Sequence, residues 1–224
     1  MAKKFEVTNL TKQQLASQLR KPDGKEGKEV GRQMNKGNKN ICLNSYKVLA
    51  PNANSLILEI GMGNGLFIEN LLAQTKGLKY IGFDFSQTMI NEASLINDEF
   101  IDENKVSFKL GSIEDLPFED NSIDYITTTN TVYFWPNIKA NSKELIRVLK
   151  PAGKLLIGYR AKEIMDKVEL TKFGFNKYTQ SEIENYLIKS GFQDVITEAI
   201  PEPDLDFDGV PIKMEGLYTT GQKK

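Results

Sequence analysis

The feature that most constrains this chain is a short apolar run that ends in a glycine-rich bend. Residues 55–60 read Ser-Leu-Ile-Leu-Glu-Ile, and Gly61, Gly63 and Gly65 follow them. An apolar run of this length, bounded by glycines, predicts a buried strand of a parallel sheet. Glycine tolerates positive φ and lets the backbone pass close to a ligand. We therefore expect a ligand-binding turn here, followed by a helix that offers free N–H groups.

The remaining sequence alternates between strand and helix patterns, which predicts an α/β fold with a doubly wound, mainly parallel sheet covered on both faces. Further strands are predicted at 78–83, 106–110, 123–129 and 153–159, with two late strands near 192–199 and 212–220. Helices are predicted at about 11–19, 38–50 and 66–75, from Ser86 to about 100, from Pro136 at the first helical position to about 149, and from Thr179 to Gly191. Residues 20–40 are polar and carry four glycines, which predicts a flexible segment or a weak helix.

The residue types that are missing limit the chemistry. The chain has no histidine, and Cys42 is its only cysteine. A zinc site or another metal centre is therefore not expected, and no imidazole can serve as a general base. No apolar run approaches the length of a membrane span, and the first residues lack the apolar core of a signal peptide. We expect a cytoplasmic protein.

Positive charge is concentrated near the N-terminus. Residues 1–40 hold ten Lys or Arg against four acidic residues, whereas the whole chain has a net charge of −1. One interpretation is a solvated arm. The other is a basic lid that attracts an anionic substrate.

Two carboxylates flank the predicted ligand turn. Glu59 stands two residues before the first glycine of a G-x-G-x-G bend, where it would repel a pyrophosphate but attract an ammonium group. Asp84 ends the second strand, where a carboxylate can accept from both ribose hydroxyls of an adenosine. Asp84 could instead serve the dipole of the next helix. An adenosyl amino acid without phosphate, S-adenosylmethionine, satisfies both predicted preferences.

Two later loops follow the third and fourth strands. The loop at 111–118 could hold an adenine ring, although on its own it reads as an ordinary loop. The cluster Asn130-Thr131-Val132-Tyr133-Phe134-Trp135 could face the mouth of the same crevice, or its rings could pack in the core. Aromatic rings beside a sulfonium would be stabilising through cation–π attraction.

Together, LEIGMGNG, YIGFDFS, GSIEDLPFEDNSID, TNTVYFW and RVLKPAGKLLIG resemble the class I S-adenosylmethionine-dependent methyltransferases. The resemblance covers about residues 53–200 and is closest to the small-molecule branch that includes the quinone-biosynthesis enzymes. It implies a Rossmann-like, seven-stranded sheet with an antiparallel last strand. QLRKPDGKEGKEVGRQMN is similar to the N-terminal cap of bacterial members. The resemblance therefore implies a helical cap or lid at 1–50 and a cofactor-binding domain at 51–224.

The resemblance also implies S-adenosyl-L-methionine as the cofactor. The residues that would line it are Glu59, Gly61, Gly63, Gly65, Asp84, Phe85, Met89, Ser112, Ile113 and Asn130. The family more often has an aspartate where Ser112 stands, so a weaker hydrogen bond to the adenine amino group is expected there.

Methyl transfer from a sulfonium is an in-line displacement that chiefly needs approach geometry and desolvation. We expect a small-molecule acceptor and no nucleic-acid partner. Tyr133 is the candidate for orienting the acceptor, with Tyr159 and Tyr178 as weaker candidates. Three alternatives stay open: a nucleic-acid methyltransferase, a cofactor-binding protein without turnover, and a nicotinamide-dependent oxidoreductase, which the glycine spacing and Glu59 oppose. The sequence leaves the acceptor atom and the oligomeric state open.

Overall fold

The computed structural model describes residues 10–207 and 210–224. Its centre is a seven-stranded sheet in the order β3-β2-β1-β4-β5-β7-β6. The first five strands pair in parallel, β7 pairs antiparallel with β5, and β6 pairs antiparallel with β7. The predicted fold class is confirmed. The strands are β1 (Leu56–Ile60), β2 (Lys79–Asp84), β3 (Val106–Leu110), β4 (Ile123–Thr129), β5 (Leu149–Tyr159), β6 (Phe192–Phe207) and β7 (Val210–Lys223).

Helices cover both faces of the sheet. They are α1 (Lys12–Arg20), α2 (Gly24–Leu49), α3 (Ile68–Leu72), α4 (Gln87–Ile96), α5 (Asp98–Asp102), α6 (Ile138–Val148), α7 (Lys162–Met165) and α8 (Gln180–Ser190), with 3₁₀ turns at Val132–Phe134 and Glu169–Lys172. Neighbouring residues of β1 point to opposite faces, so Leu58 packs in the core under α6 and α8 while Ile57 packs in the core under α2 and α3. Within the described ranges, no helix has the length and apolar content to cross a membrane.

Helix α2 corrects one prediction. Residues 20–40 were expected to be flexible or weakly helical, but Gly24–Leu49 is one helix of 26 residues. Two of its glycines serve close packing, because a Cβ at Gly27 would lie 2.6 Å from the backbone carbon of Pro22, and one at Gly31 would lie 3.1 Å from Met89 Cε. Tertiary packing here outweighs the low helix propensity of glycine.

Smaller corrections concern element boundaries. Pro136 precedes α6 rather than opening it, because Asn137 is the N-cap and its side chain accepts from the Ala140 amide. The predicted helix at 66–75 is only the five-residue α3. The predicted helix from Ser86 to about 100 is divided into α4 and α5, and Ile96 at the end of α4 is 43% exposed. The predicted helix from Thr179 to Gly191 is confirmed as α8, with Thr179 as its N-cap in a capping box with Glu182.

Candidate active site

One cavity lies at the carboxyl ends of β1, β2 and β4, beneath α1 and α2. The topology explains this position, because the sheet order reverses between β1 and β4 and leaves a crevice outside the strand ends. All ten residues predicted to line the cofactor line this cavity. They are Glu59, Gly61, Gly63, Gly65, Asp84, Phe85, Met89, Ser112, Ile113 and Asn130.

The glycine bend forms the floor of the cavity. Gly61, Gly63 and Gly65 have φ of +70°, +60° and +68°, a region that side-chain-bearing residues rarely adopt. A Cβ on Gly61 would lie 2.4 Å from Thr131 Cγ2, so this position also needs the missing side chain for space. The backbone therefore passes close under any ligand in the cavity.

Glu59 lies at the inner end of the cavity and is only 3% exposed. Its Oε2 accepts hydrogen bonds of 2.8 Å from Tyr46 of α2 and 2.8 Å from Tyr80 of β2. Burial raises the pKa of Glu59 to about 7, and the two phenols oppose that rise because they stabilise the charged carboxylate. The side chain is thus a buried acid that titrates near neutrality.

Asp84 joins two loops at the edge of the cavity. Its Oδ2 accepts from the Gly63 amide at 3.1 Å, and its Oδ1 accepts from the Ser86 amide at 2.9 Å. Burial raises the pKa of Asp84 to about 6, with the backbone donors and Lys21 acting in the opposite direction. Glu59 and Asp84 both line the cavity, so the two carboxylates border the same space, as the sequence predicted.

The loop after β3 carries Ser112 and Ile113 into the cavity. Ser112 Oγ donates to Glu114 Oε2 at 3.1 Å, and Glu114 also lines the cavity. The family more often has a carboxylate at position 112. This chain has Ser112 there and places a carboxylate two residues later, at Glu114. Sequence analysis did not single out Glu114, because a charged loop residue carries no periodic signal.

The structure places Tyr133 differently from its expected position. Tyr133 is buried outside the cavity lining, where its hydroxyl donates to Asn130 Oδ1 at 3.2 Å and accepts from the Arg160 amide. Burial raises the pKa of Tyr133 well above its usual range. Of the neighbouring aromatics, Phe134 and Trp135 do line the cavity. Tyr159 and Tyr178 also lie outside the lining.

The roof of the cavity comes from the N-terminal helices. Gly31, Met34, Asn38, Cys42 and Tyr46 recur at helical spacing along one face of α2, and all line the cavity. The sequence predicts a helix at about 38–50, but it does not predict the approach of Cys42 and Tyr46 to the glycine bend. Leu19 and Arg20 of α1 complete the roof.

The roof is fastened to the domain at both ends of α2. Near its start, Lys28 and Arg32 pair with Glu92 of α4, and the Gly24 amide donates to Thr88 Oγ1 at 3.2 Å. At its end, Lys154 Nζ donates to the Val48 carbonyl at 3.0 Å. Two basic residues of α2 thus take part in internal ion pairs.

Comparison with known proteins places the predicted cofactor residues of the cavity within a family match. The family described as "Methyltransferase domain" matches residues 58–157, which contain the glycine bend, Asp84 and Asn130. This match agrees with the resemblance of the sequence to the class I S-adenosylmethionine-dependent methyltransferases. The methyltransferase match covers β1 to β5, and the helices that form the roof lie outside it.

Relatives of this chain include a protein named ubiquinone/menaquinone biosynthesis C-methyltransferase from Rickettsia typhi, which is 32% identical over 117 residues, 50% of this chain and 47% of the relative. The chain thus spans about half the length of the curated relatives it matches first. Among solved structures, the YcgJ protein from Bacillus subtilis has a TM-score of 0.68 at 20% identity, covering 83% of this chain and 99% of that one. Phospholethanolamine N-methyltransferase 2 from Haemonchus contortus, solved with S-adenosylhomocysteine, has a TM-score of 0.63 at 18% identity, covering 83% of this chain and 52% of that one. These structures share the fold.

Proposed function

We propose that this protein transfers a methyl group from S-adenosylmethionine to a small-molecule acceptor. The observation that carries the proposal is that the ten cofactor-type residues and the inner faces of α1 and α2 enclose one cavity. A cavity with this roof suits a small acceptor better than a polymer lying across an open surface.

The residues present fit the cofactor. Among the described residues, none donates a hydrogen bond to Glu59 Oε1, although Glu59 borders the cavity, so this oxygen is available to an ammonium group. Asp84 would accept from ribose hydroxyls, and Ser112 with Ile113 would hold the adenine. Asn130 would border the methionine end. The bound cofactor supplies an activated methyl group on a sulfonium.

The acceptor side is formed by the roof and the aromatic turn. Leu19, Met34, Phe134 and Trp135 give it an apolar surface, and Asn35 adds a carboxamide. These groups would position an acceptor with an apolar body and keep water from the reacting atoms. Quinone-biosynthesis relatives are consistent with such an acceptor.

Proton removal plays a small part in this proposal. The carboxylates of the described cavity lining are Glu59, Asp84 and Glu114, and each stands where the cofactor is expected. The protein would therefore act on acceptors that are nucleophilic without a strong protein base. Tyr133 would act as a positioning residue for Asn130, since its hydroxyl reaches Asn130 and not the cavity.

A nucleic-acid acceptor is less consistent with the charge distribution. Lys28 and Arg32, both in the basic N-terminal region, face Glu92, which reduces the positive charge available for phosphates. A cytoplasmic location remains part of the proposal, and fractionation of cells that express the tagged protein would test it.

Calorimetry with S-adenosylhomocysteine tests the cofactor. We expect saturable binding, at least about tenfold weaker for Asp84→Ala, and unchanged for the control Asp98→Ala, whose acid is exposed on α5. Absence of binding by the wild type would overturn the proposal.

Transfer of a radiolabelled methyl group tests the acceptor. Cell extract would be separated into metabolite and RNA fractions, each incubated with enzyme and labelled S-adenosylmethionine. We expect label in the metabolite fraction. Label confined to RNA would reject the small-molecule class while leaving the cofactor assignment intact.

A further inference from the structure

The carboxylate of Glu59 is held from two sides by phenols. Tyr46 reaches it from α2 and Tyr80 from β2, and both donate to the same oxygen, Oε2, at 2.8 Å. Tyr46 is 3% exposed and Tyr80 is 1% exposed, so water does not compete for these hydrogen bonds. Two converging donors fix both the rotamer and the orientation of the carboxylate.

This arrangement leaves the second oxygen for a ligand. Both phenols occupy Oε2, and none of the described groups donates to Oε1. Glu59 belongs to the cavity lining beside Tyr46 and Gly61. A buried carboxylate with one oxygen satisfied and the other open needs a further donor, and an ammonium group provides one with opposite charge.

Helix α2 makes a second contact with the same end of the cavity. The side-chain amide of Asn130 donates to Asn38 Oδ1 at 3.1 Å, and both residues line the cavity. Asn38 and Tyr46 lie eight residues apart, about two helical turns, and therefore on one face of the helix. The roof thus touches both polar side chains assigned to the methionine end.

We propose that Tyr46 is a positioning residue for the amino group of the cofactor, because it orients Glu59 and so makes the docked roof part of the cofactor site. The inference rests on the proposed function. It follows that docking of α2 and binding of the amino-acid end of the cofactor favour each other.

Removal of the Tyr46 hydroxyl should change how Glu59 titrates. The neighbouring titratable groups are Tyr46 and Cys42 on α2 and Tyr80 on β2, with Arg160 and Glu202 further away around Cys42. Burial already raises the pKa of Glu59 to about 7, and Tyr46 opposes that rise. Without Tyr46 the pKa of Glu59 rises further, so less carboxylate is available to an ammonium group at neutral pH.

The test compares two ligands on purified protein by calorimetry. S-adenosylhomocysteine carries the amino-acid end, whereas 5′-methylthioadenosine shares the adenosine and the thioether but lacks that end. For Tyr46→Phe we expect S-adenosylhomocysteine to bind about tenfold more weakly at pH 7, with 5′-methylthioadenosine changed less than about twofold. Between pH 8 and pH 6, the affinity for S-adenosylhomocysteine should decline as the pH falls. In Tyr46→Phe this decline should occur at a higher pH than in the wild type.

Ser45→Ala is the matched control. It removes another hydrogen bond between α2 and the domain, from Thr129 Oγ1 to Ser45 Oγ at 3.0 Å, without touching Glu59. Its ligand preference should equal that of the wild type. Glu59→Gln is a second variant that keeps both phenol partners, and it should show the same selective loss of S-adenosylhomocysteine.

Two results would overturn the role of Tyr46 and leave the proposed function standing. One is an equal loss of affinity for both ligands in Tyr46→Phe, and the other is an unchanged affinity for S-adenosylhomocysteine in Glu59→Gln. Failure of the wild type to bind either ligand would overturn the proposed function and this inference with it.

Discussion

Asn130 and Asn38 join the turn after β4 to the middle of α2 through one hydrogen bond of 3.1 Å. Asn130 has φ of +56°, a left-handed conformation, and its Oδ1 accepts from Tyr133. The residue therefore connects the roof, the cavity and the buried tyrosine. Its side-chain bonds support a backbone conformation that most residues avoid.

Asn38→Ala and Asn130→Ala separate these contributions. Asn38→Ala should cost less than about 1 kcal/mol, because the helix propensity of alanine partly offsets the lost hydrogen bond. Asn130→Ala should cost about 2 kcal/mol, because it loses two side-chain bonds and places alanine at positive φ. Urea unfolding measures both, and equal costs would contradict this account.

The glycines of α2 give opposite predictions within one helix. Gly27→Ala should destabilise the protein by about 1–3 kcal/mol, because the new Cβ would lie 2.6 Å from the backbone of Pro22. Gly37→Ala should stabilise it by up to about 1 kcal/mol, because Gly37 is exposed and nothing lies within 4 Å of its Cβ position. Urea unfolding measures both variants, and each serves as the control for the other because the substitution and the helix are the same. A stabilising effect of Gly27→Ala would contradict the packing role of Gly27.

These glycines also show where sequence reasoning stops. The sheet was predictable because buried parallel strands leave apolar runs, and the cofactor-type residues were predictable because they follow those strands directly in the chain. The helical state of residues 24–37 was not predictable, because the composition there resembles a linker and only the contacts with Pro22 and Met89 explain Gly27 and Gly31.

The phenols around Glu59 were hidden for a related reason. Tyr46 and Tyr80 are 13 and 21 residues from Glu59 in sequence, and each reads as an ordinary core residue. Their convergence depends on how α2 crosses the sheet. The position of Tyr133 likewise depends on the 3₁₀ turn at Val132–Phe134, which turns its ring into the core and leaves Phe134 at the cavity.

Glu59 predicts a pH dependence of stability in the ligand-free protein. Its pKa is about 7 in the folded state and 4.5 ordinarily, so the unfolded chain ionises first as pH rises. The free energy of unfolding is therefore highest below about pH 4.5 with respect to this group. It falls by on the order of 3 kcal/mol as the pH rises towards 7. Glu59→Gln removes this dependence.

The measurement is the free energy of urea unfolding between pH 5 and 8. The free energy of unfolding of Glu59→Gln should rise relative to that of the wild type as the pH increases. Glu99→Gln, an exposed acid on α5, should show no such growth. A difference between Glu59→Gln and wild type that stays constant with pH would contradict a raised pKa.

Arg147 supports the loop that carries Ser112. Its Nη1 donates to the Phe118 carbonyl at 2.9 Å, and its Nη2 donates to the Leu116 carbonyl at 3.0 Å. Arg147→Lys keeps the charge but cannot make both bonds. It should cost about 1–2 kcal/mol and expose residues 111–121 to proteolysis, whereas Lys143→Arg on the same helix should do neither. Unchanged protease resistance would contradict this support.

The two ends of α2 are held by contacts that respond differently to salt. At the C-terminal end of α2, the half-buried Lys154 donates to the carbonyls of Val48 and Leu49. Salt screens such a half-buried contact little. At the other end, Lys28 and Arg32 are 46% and 63% exposed and hold Glu92 through bonds that salt does screen. Raised ionic strength should therefore weaken the two ion pairs at the start of α2, while the Gly24 hydrogen bond, the packing of Gly27 and the Lys154 contact at the other end stay in place.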